Sequence, residues 1–89
     1  MNKTMMDILA CPIDKNHPLE LYEIKEKNNV VLEGALFCSK CSRFYPIIEE
    51  IPIMLPDELR NKQQEMEFLT SNKKNLPEKI ITMANPWHL

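Results

Sequence analysis

The chain has 89 residues, a formal net charge of −2 and a single glycine, Gly34. A domain of this size buries only roughly 60 to 65% of its unfolded surface, so a metal ion, a disulfide or a partner protein would add to its stability. One glycine excludes a glycine-rich nucleotide loop, and the slight acidity argues against a protein that follows nucleic-acid phosphates. No apolar run approaches the roughly 20 residues needed to span a membrane. Three cysteines cannot all pair within one chain, which favours a reducing, cytoplasmic setting.

The N-terminal half predicts a short helix followed by an antiparallel sheet. Thr4 and Asp7 have the spacing of a capping box, which predicts a helix from about residue 5 to residue 9. Alternating apolar and polar residues predict a strand over 19–24. A second strand is predicted to return from residue 30, with Gly34 at a bulge or bend.

The remaining residues predict a third strand and two helices. Residues 44–48 read as a strand, and Pro46 within it favours an edge strand, because proline cannot donate to a neighbour. Residues 51–56 are apolar and bracketed by prolines, which predicts an extended segment. Asp57 is expected to cap a helix over 58–73, Pro77 to begin another that ends near 83, and Asn85 to adopt a left-handed cap. Four charged residues, Glu65, Glu67, Lys73 and Lys74, are expected to be solvated on the surface of the long helix.

These elements predict the α+β class, with three or four antiparallel strands, a short N-terminal helix and C-terminal helices. We expect one domain over 1–89, with a core over 4–57 and a helical C-terminal extension over 58–89.

The cysteines predict a metal site that departs from the usual ligand set. Cys38 and Cys41 form a C-x-x-C knuckle, and Cys11 lies at the other end of the predicted hairpin. Asp14 lies three residues after Cys11, at the position where a C-x-x-C knuckle would have its second cysteine. His17 is chemically the better zinc ligand but lies three residues further on. Three thiolates with one oxygen or nitrogen would complete a tetrahedral structural zinc site; the alternative is an empty site whose cysteines act as small buried hydrophobic residues.

A redox function of the knuckle is a weaker interpretation. Redox C-x-x-C motifs normally open a helix, whereas Cys38 and Cys41 are followed by the predicted strand at 44–48. Lys40 would lower a neighbouring thiol pKa only slightly. Glu49 and Glu50 are adjacent on the chain and point apart, so they form no catalytic pair. The sequence therefore offers no catalytic residues.

Several segments together resemble a known protein family. They are Met6-Asp7-Ile8-Leu9-Ala10-Cys11-Pro12, the Cys38–Cys41 knuckle with Phe44-Tyr45-Pro46-Ile47, and Ile51-Pro52-Ile53-Met54-Leu55-Pro56. This pattern resembles the small zinc-ribbon-like activator subunit shared by class I methyltransferases that modify tRNA, rRNA and translation release factor. The ending from Leu76 to Leu89 is similar to the archaeal branch. Asp14 in place of the fourth cysteine, and Glu50 where the family commonly has glycine, are departures from the pattern.

The resemblance implies a non-catalytic subunit that forms heterodimers with S-adenosylmethionine-dependent methyltransferases and stabilises them. It also implies contact partly by pairing with the edge of the partner's sheet. The predicted partner-binding residues are Phe44, Tyr45, Ile47, Ile53, Met54 and Leu55. Phe44 and Ile47 could equally form the core of the sheet, and Trp87 could pack on a partner or on its own domain.

The alternative function is a stand-alone zinc ribbon that binds nucleic acid. Such a module needs a basic face, and only Lys40 and Arg43 lie near the second knuckle. Direct nucleic-acid binding and membrane association are therefore not expected.

Overall fold

The computed structural model describes all 89 residues, and its centre is a four-stranded antiparallel sheet with the strand order β1-β2-β3-β4. The elements, in chain order, are a 3-10 helix (Lys3–Asp7), β1 (Glu20–Lys27), β2 (Val30–Phe37), β3 (Phe44–Ile48), β4 (Ile51–Pro52), a second 3-10 helix (Asp57–Leu59), α1 (Lys62–Ser71) and α2 (Glu78–Ile81). The predicted α+β class is confirmed. Neither α1 nor α2 has the length and apolar character to cross a bilayer.

Each face of the sheet carries its own apolar cluster, because successive side chains of a strand point to opposite sides. One face packs against α1 and α2, with Ala35, Phe37 and Phe44 in contact with apolar residues of the extension. The other face is covered by the N-terminal segment and the cysteine loops, around Leu36 and Tyr45. The sheet is therefore the middle of three layers.

Gly34 lies beside the irregularity that the sequence predicts. Glu23 pairs with Gly34 but Lys25 pairs with Glu33, so the extra residue, Ile24, belongs to β1. A Cβ atom on Gly34 would lie 2.6 Å from the backbone oxygen of Tyr22. Because Gly34 does not have a positive φ, this close approach of β1 explains the glycine.

The helices begin and end elsewhere than predicted. Asn2, not Thr4, caps the N-terminal 3-10 helix, and its side chain accepts a hydrogen bond from the Thr4 N–H. Asn61 caps α1, because Asp57 is engaged by Arg43 through two side-chain nitrogens. Asn85 does not take a left-handed cap; it pairs with Arg43 in a parallel bridge.

Strand β3 is not an edge strand, contrary to the prediction from Pro46. It pairs with β2 on one side and β4 on the other. The Pro46 nitrogen cannot donate a hydrogen bond, but the Pro46 carbonyl oxygen still accepts one from the Ile53 N–H at 2.8 Å. Pro46 can therefore lie in an internal strand. The free edges of the sheet are those of β1 and β4.

Candidate metal centre and partner surface

The structure brings together the four residues predicted to bind metal. One ligand atom from each of Cys11, Asp14, Cys38 and Cys41 lies within 4.8 Å of the others. Cys11 and Cys38 are fully buried, whereas Asp14 and Cys41 are half-buried. The cluster joins the loop before β1 to the loop between β2 and β3, as expected for a ribbon closed by two knuckles.

Two of the six distances among these four residues match the edges of a zinc tetrahedron, and the other four are no longer than 4.8 Å. Bond lengths of about 2.3 Å to sulfur and about 2.1 Å to oxygen place two sulfurs about 3.8 Å apart and a sulfur about 3.6 Å from an oxygen. The Sγ atoms of Cys11 and Cys41 are 3.7 Å apart. The Cys38 Sγ lies 3.6 and 3.5 Å from the two carboxylate oxygens of Asp14. The donor set and its spacing therefore fit a tetrahedral metal ion.

The two cysteine loops have the same backbone conformation. In the first loop, the Lys15 N–H donates to the Cys11 carbonyl at 2.8 Å, and the Cys11 N–H donates to Asn16 at 3.0 Å. In the second loop, the corresponding bonds are Ser42 to Cys38 at 2.8 Å and Cys38 to Arg43 at 2.9 Å.

The dihedral angles agree, with φ of 61° at Lys15 and 60° at Ser42. Asp14 therefore occupies, in the first loop, the place that Cys41 occupies in the second. An aspartate at this position, where the second loop has a cysteine, therefore leaves the backbone of the loop unchanged.

Hydrogen bonds from outside the ligand set orient the ligands. The Asn16 N–H donates to Asp14 Oδ1 at 2.9 Å and lowers the pKa of that carboxyl to about 2, so it is ionised at neutral pH. The Asn16 side-chain amide lies 3.6 Å from the Cys38 sulfur. The hydroxyl of the buried Tyr45 lies 3.2 Å from the Cys11 sulfur. Since burial raises the pKa of Tyr45, this hydroxyl keeps its proton and can donate it to the sulfur.

His17 lies apart from the ligand cluster. Its Nδ1 is 2.7 Å from the carbonyl oxygen of Leu9, and its side chain is exposed. Of the two candidates for the fourth ligand, the geometry therefore favours Asp14.

The Cys41 thiol of the knuckle does not resemble the reactive thiol of a redox motif. Burial raises the pKa of Cys41 to about 11 in the metal-free chain, whereas a reactive thiol needs a lowered pKa. The basic face needed for nucleic acid is also incomplete, because Arg43 is paired with Asp57 at 2.7 Å. Lys40 is left as the exposed cation of the knuckle.

Three of the predicted partner-binding residues lie inside the protein. Phe44, Tyr45 and Ile47 are each 0% exposed, because β3 is an internal strand with side chains packed on both faces. The interpretation of these residues as a contact surface is corrected here: they form the core. Ile53 and Met54 are half-buried and Leu55 is exposed.

The apolar surface is instead centred on β4 and the segment after it. Ile51 is 59% exposed and precedes Ile53, Met54 and Leu55. The Ile53 N–H faces β3, so the backbone groups of Pro52 and Met54 face away from the sheet. We call residues 51–55 the β4 edge. Ile51 is not among the residues predicted from the sequence to contact a partner, although it begins the Ile51-Pro52 motif.

A buried ion pair lies where the sequence predicts a helix surface. The Arg60 and Glu65 side chains are 0% and 3% exposed, and their charged groups are 2.6 Å apart. Arg60 also donates to the Phe44 carbonyl, and its guanidinium lies 5.0 Å from the centres of the Phe44 and Tyr45 rings. Glu65 is therefore a buried charge and not a solvated one, contrary to the prediction. Arg60 packs against Phe44 and Tyr45 at the start of β3.

Comparison with known proteins agrees with this fold. The family model described as "Trm112p-like protein" matches residues 2–50. The chain belongs to the Trm112p-like family. Among similar proteins is a "UPF0434 protein" of Methylobacillus flagellatus, 40% identical over 67 residues that span 75% of this chain and 97% of that protein. Another, from Nitrosococcus oceani, is 33% identical over 68 residues, or 76% of this chain and all of that protein.

A solved structure resembles this member of the Trm112p-like family as well. It is described as a complex between the Haloferax volcanii Trm112 methyltransferase activator and the putative methyltransferase. The matched chain has a TM-score of 0.64 and 37% sequence identity, and the match covers 67% of this chain and all of that chain.

Proposed function

We propose that this protein is a non-catalytic subunit that activates and stabilises S-adenosylmethionine-dependent methyltransferases acting on tRNA, rRNA or translation release factor. The observation that carries this proposal is the match, at a TM-score of 0.64 and 37% identity, to a structure described as a Trm112 activator complex. A small protein that binds only the folded form of its partner stabilises that form by mass action. We place the complex, a heterodimer, in the cytoplasm.

The β4 edge is the proposed contact surface. β4 has no neighbouring strand on its outer side, and Ile51 is 59% exposed there. An extended partner segment could take main-chain hydrogen bonds from Met54 and give a hydrogen bond to the Pro52 carbonyl. Burial of Ile51 and Leu55 would add apolar contact area.

The metal centre has a structural role in this proposal. Cys11, Asp14, Cys38 and Cys41 would hold one zinc ion, with all four positions taken by protein ligands. A closed ligand set leaves no position for a substrate. The ion would join the two loops at the base of the sheet and stabilise the surface that the partner contacts.

Co-expression with candidate methyltransferases tests the function. The matched variants are Ile51→Asp, on the β4 edge, and Ile8→Asp, which changes an isoleucine that is 77% exposed on the N-terminal segment. We expect a methyltransferase to become soluble and to co-purify with the parent chain and with Ile8→Asp, but not with Ile51→Asp.

Two outcomes would contradict the proposal at different levels. If no methyltransferase gains solubility, activity or co-purification, the function is wrong. If a methyltransferase co-purifies equally with all three chains, the function stands and the β4 edge is not the contact surface.

A further inference from the structure

The C-terminal tail, residues 84–89, is attached to the second cysteine loop. Asn85 makes both side-chain and main-chain contacts there. Its Nδ2 donates to the Cys41 carbonyl at 2.9 Å, and its N–H donates to the Ser42 carbonyl at 2.8 Å. Its own carbonyl accepts from the Phe44 N–H at 3.2 Å. The tail is thus bonded to the backbone of a predicted metal ligand and of its neighbour.

A second route joins the same two regions through side chains. Trp87 packs against the apolar cluster of the extension, and the Arg60 guanidinium lies 5.7 Å from its ring centre. Arg60 also lies 5.0 Å from the ring of Tyr45, whose hydroxyl is 3.2 Å from the Cys11 sulfur. One residue therefore contacts both the tail and the tyrosine that touches the ligand.

Asn85 donates to the carbonyl groups of Cys41 and Ser42, and the backbone conformation of the Cys38–Ser42 turn sets the direction of these carbonyls. Ser42 has a φ of 60°, an unfavourable value for a residue other than glycine. A metal ion bound to Cys38 and Cys41 would hold this turn in place. Without the ion, the turn would be held by hydrogen bonds alone, those within the loop and those from Asn85.

We propose that metal binding and docking of the C-terminal tail are thermodynamically coupled, with Asn85 as a positioning residue of the metal centre. Metal binding favours the docked tail, and by reciprocity the docked tail raises metal affinity by the same factor. The coupling is a property of this chain alone and does not depend on a methyltransferase. It does require that the four predicted ligands bind a metal ion.

The single tryptophan of the chain reports on the tail. In the full chain loaded with Zn²⁺, we expect Trp87 emission from a partly buried indole. Removing the zinc with a chelator should shift the emission to longer wavelength and increase quenching by acrylamide. The far-ultraviolet circular dichroism of the sheet serves as the control for global unfolding. A chain that binds no zinc, or a Trp87 signal that zinc removal leaves unchanged, would overturn the proposal.

Asn85→Asp tests the reciprocal effect. The substitution keeps the shape of the side chain but replaces the donor to the Cys41 carbonyl with an acceptor. We expect zinc affinity, measured by chelator competition, to fall about tenfold, within the usual range of coupling between sites. Asn85→Ala removes the donor without adding charge and should show a smaller loss in the same direction.

Met83→Ala is the matched control, because Met83 is 61% exposed just before the tail and makes no bond to the cysteine loop. Its zinc affinity should equal that of the parent. Equal zinc affinity in all four chains would show that Asn85 has no role at the metal centre.

Discussion

At the scale of single residues, the two tight hairpin loops differ in how well their residues suit the backbone. Asn28 and Asn29 join β1 to β2 with φ values of 53° and 65°. Glu49 and Glu50 join β3 to β4 with φ values of 49° and 71°. Two-residue hairpins need positive φ at both positions, which asparagine and glycine adopt more readily than glutamate. The common glycine of the family pattern at position 50 therefore has a physical reason, and this chain lacks it.

Glu50→Gly should stabilise the protein by about 0.5 to 1 kcal/mol, because glycine adopts positive φ without steric cost. Urea unfolding measures the change. Glu67→Gly is the control: Glu67 is exposed within α1, where glycine should destabilise by about 1 kcal/mol. If Glu50→Gly is also destabilising, backbone strain at position 50 does not limit the stability.

The four candidate metal ligands allow a graded comparison. Cys41→Ser removes a candidate thiolate ligand, whereas Asp14→Ala removes a candidate oxygen ligand. We expect Cys41→Ser to lower the melting temperature of the zinc-loaded chain more than Asp14→Ala. Asp14→Cys should raise it, because the two loops have the same conformation. Native mass spectrometry gives the metal content of each variant. Equal melting temperatures in all variants and the parent would show that no metal depends on these residues.

At the scale of elements, the sequence predicted the strands better than the helix ends. The alternation over 19–24 begins one residue before β1, and the apolar run from residue 30 coincides with the start of β2. The last four residues of β2 are buried without alternation, because both faces of the sheet are covered. Residues 44–48 match β3 in full. Pro46 gave the wrong position in the sheet, since a proline carbonyl can still accept from a neighbouring strand. The start of α1 was missed because Asp57 had a stronger local partner in Arg43.

The buried Arg60–Glu65 pair could not be predicted, because a helix pattern does not show which charged residue a neighbouring strand will cover. Removing one partner leaves an unpaired buried charge, so Glu65→Leu should destabilise by about 3 to 5 kcal/mol. The double variant Arg60→Met/Glu65→Leu should recover most of that loss.

Chemical denaturation of the two single variants and the double variant measures their coupling. Lys25→Ala provides the comparison with an exposed pair: the Lys25 side chain is 70% exposed and 3.9 Å from Glu33. Lys25→Ala should lower the free energy of unfolding by about 0.5 kcal/mol or less. A similar cost for Lys25→Ala and Glu65→Leu would mean that the buried pair is not desolvated in solution.

At the scale of the whole molecule, the two faces of the sheet are covered by two distant parts of the chain. The N-terminal segment and the cysteine loops cover one face, and the C-terminal extension covers the other. The family model ends at residue 50, whereas one face of the sheet is covered by α1, α2 and Trp87. The sequence predicted that the four candidate metal ligands lie together, because their spacing reveals two loops that face one another. Three of the six residues predicted to bind a partner, Phe44, Tyr45 and Ile47, are buried, because the extension and the N-terminal segment cover the two faces of the sheet.

A core substitution in the extension tests whether the extension and the sheet form one folding unit. Leu69 of α1 is 0% exposed and belongs to the apolar cluster between the extension and the sheet. Leu69→Ala should cost about 2 to 5 kcal/mol and leave a single unfolding transition. Leu59→Ala, at a residue 65% exposed, should be nearly neutral. Two separate transitions in Leu69→Ala would show that the extension unfolds independently.

The equivalence of the two cysteine loops also bears on which metal the protein selects. Exchanging one thiolate for the Asp14 carboxylate makes the ligand set harder, without altering the loop that presents it. Softer ions such as cadmium gain most from sulfur. The Cys₃Asp centre should therefore discriminate against cadmium, relative to zinc, more strongly than the Cys₄ centre of an Asp14→Cys variant.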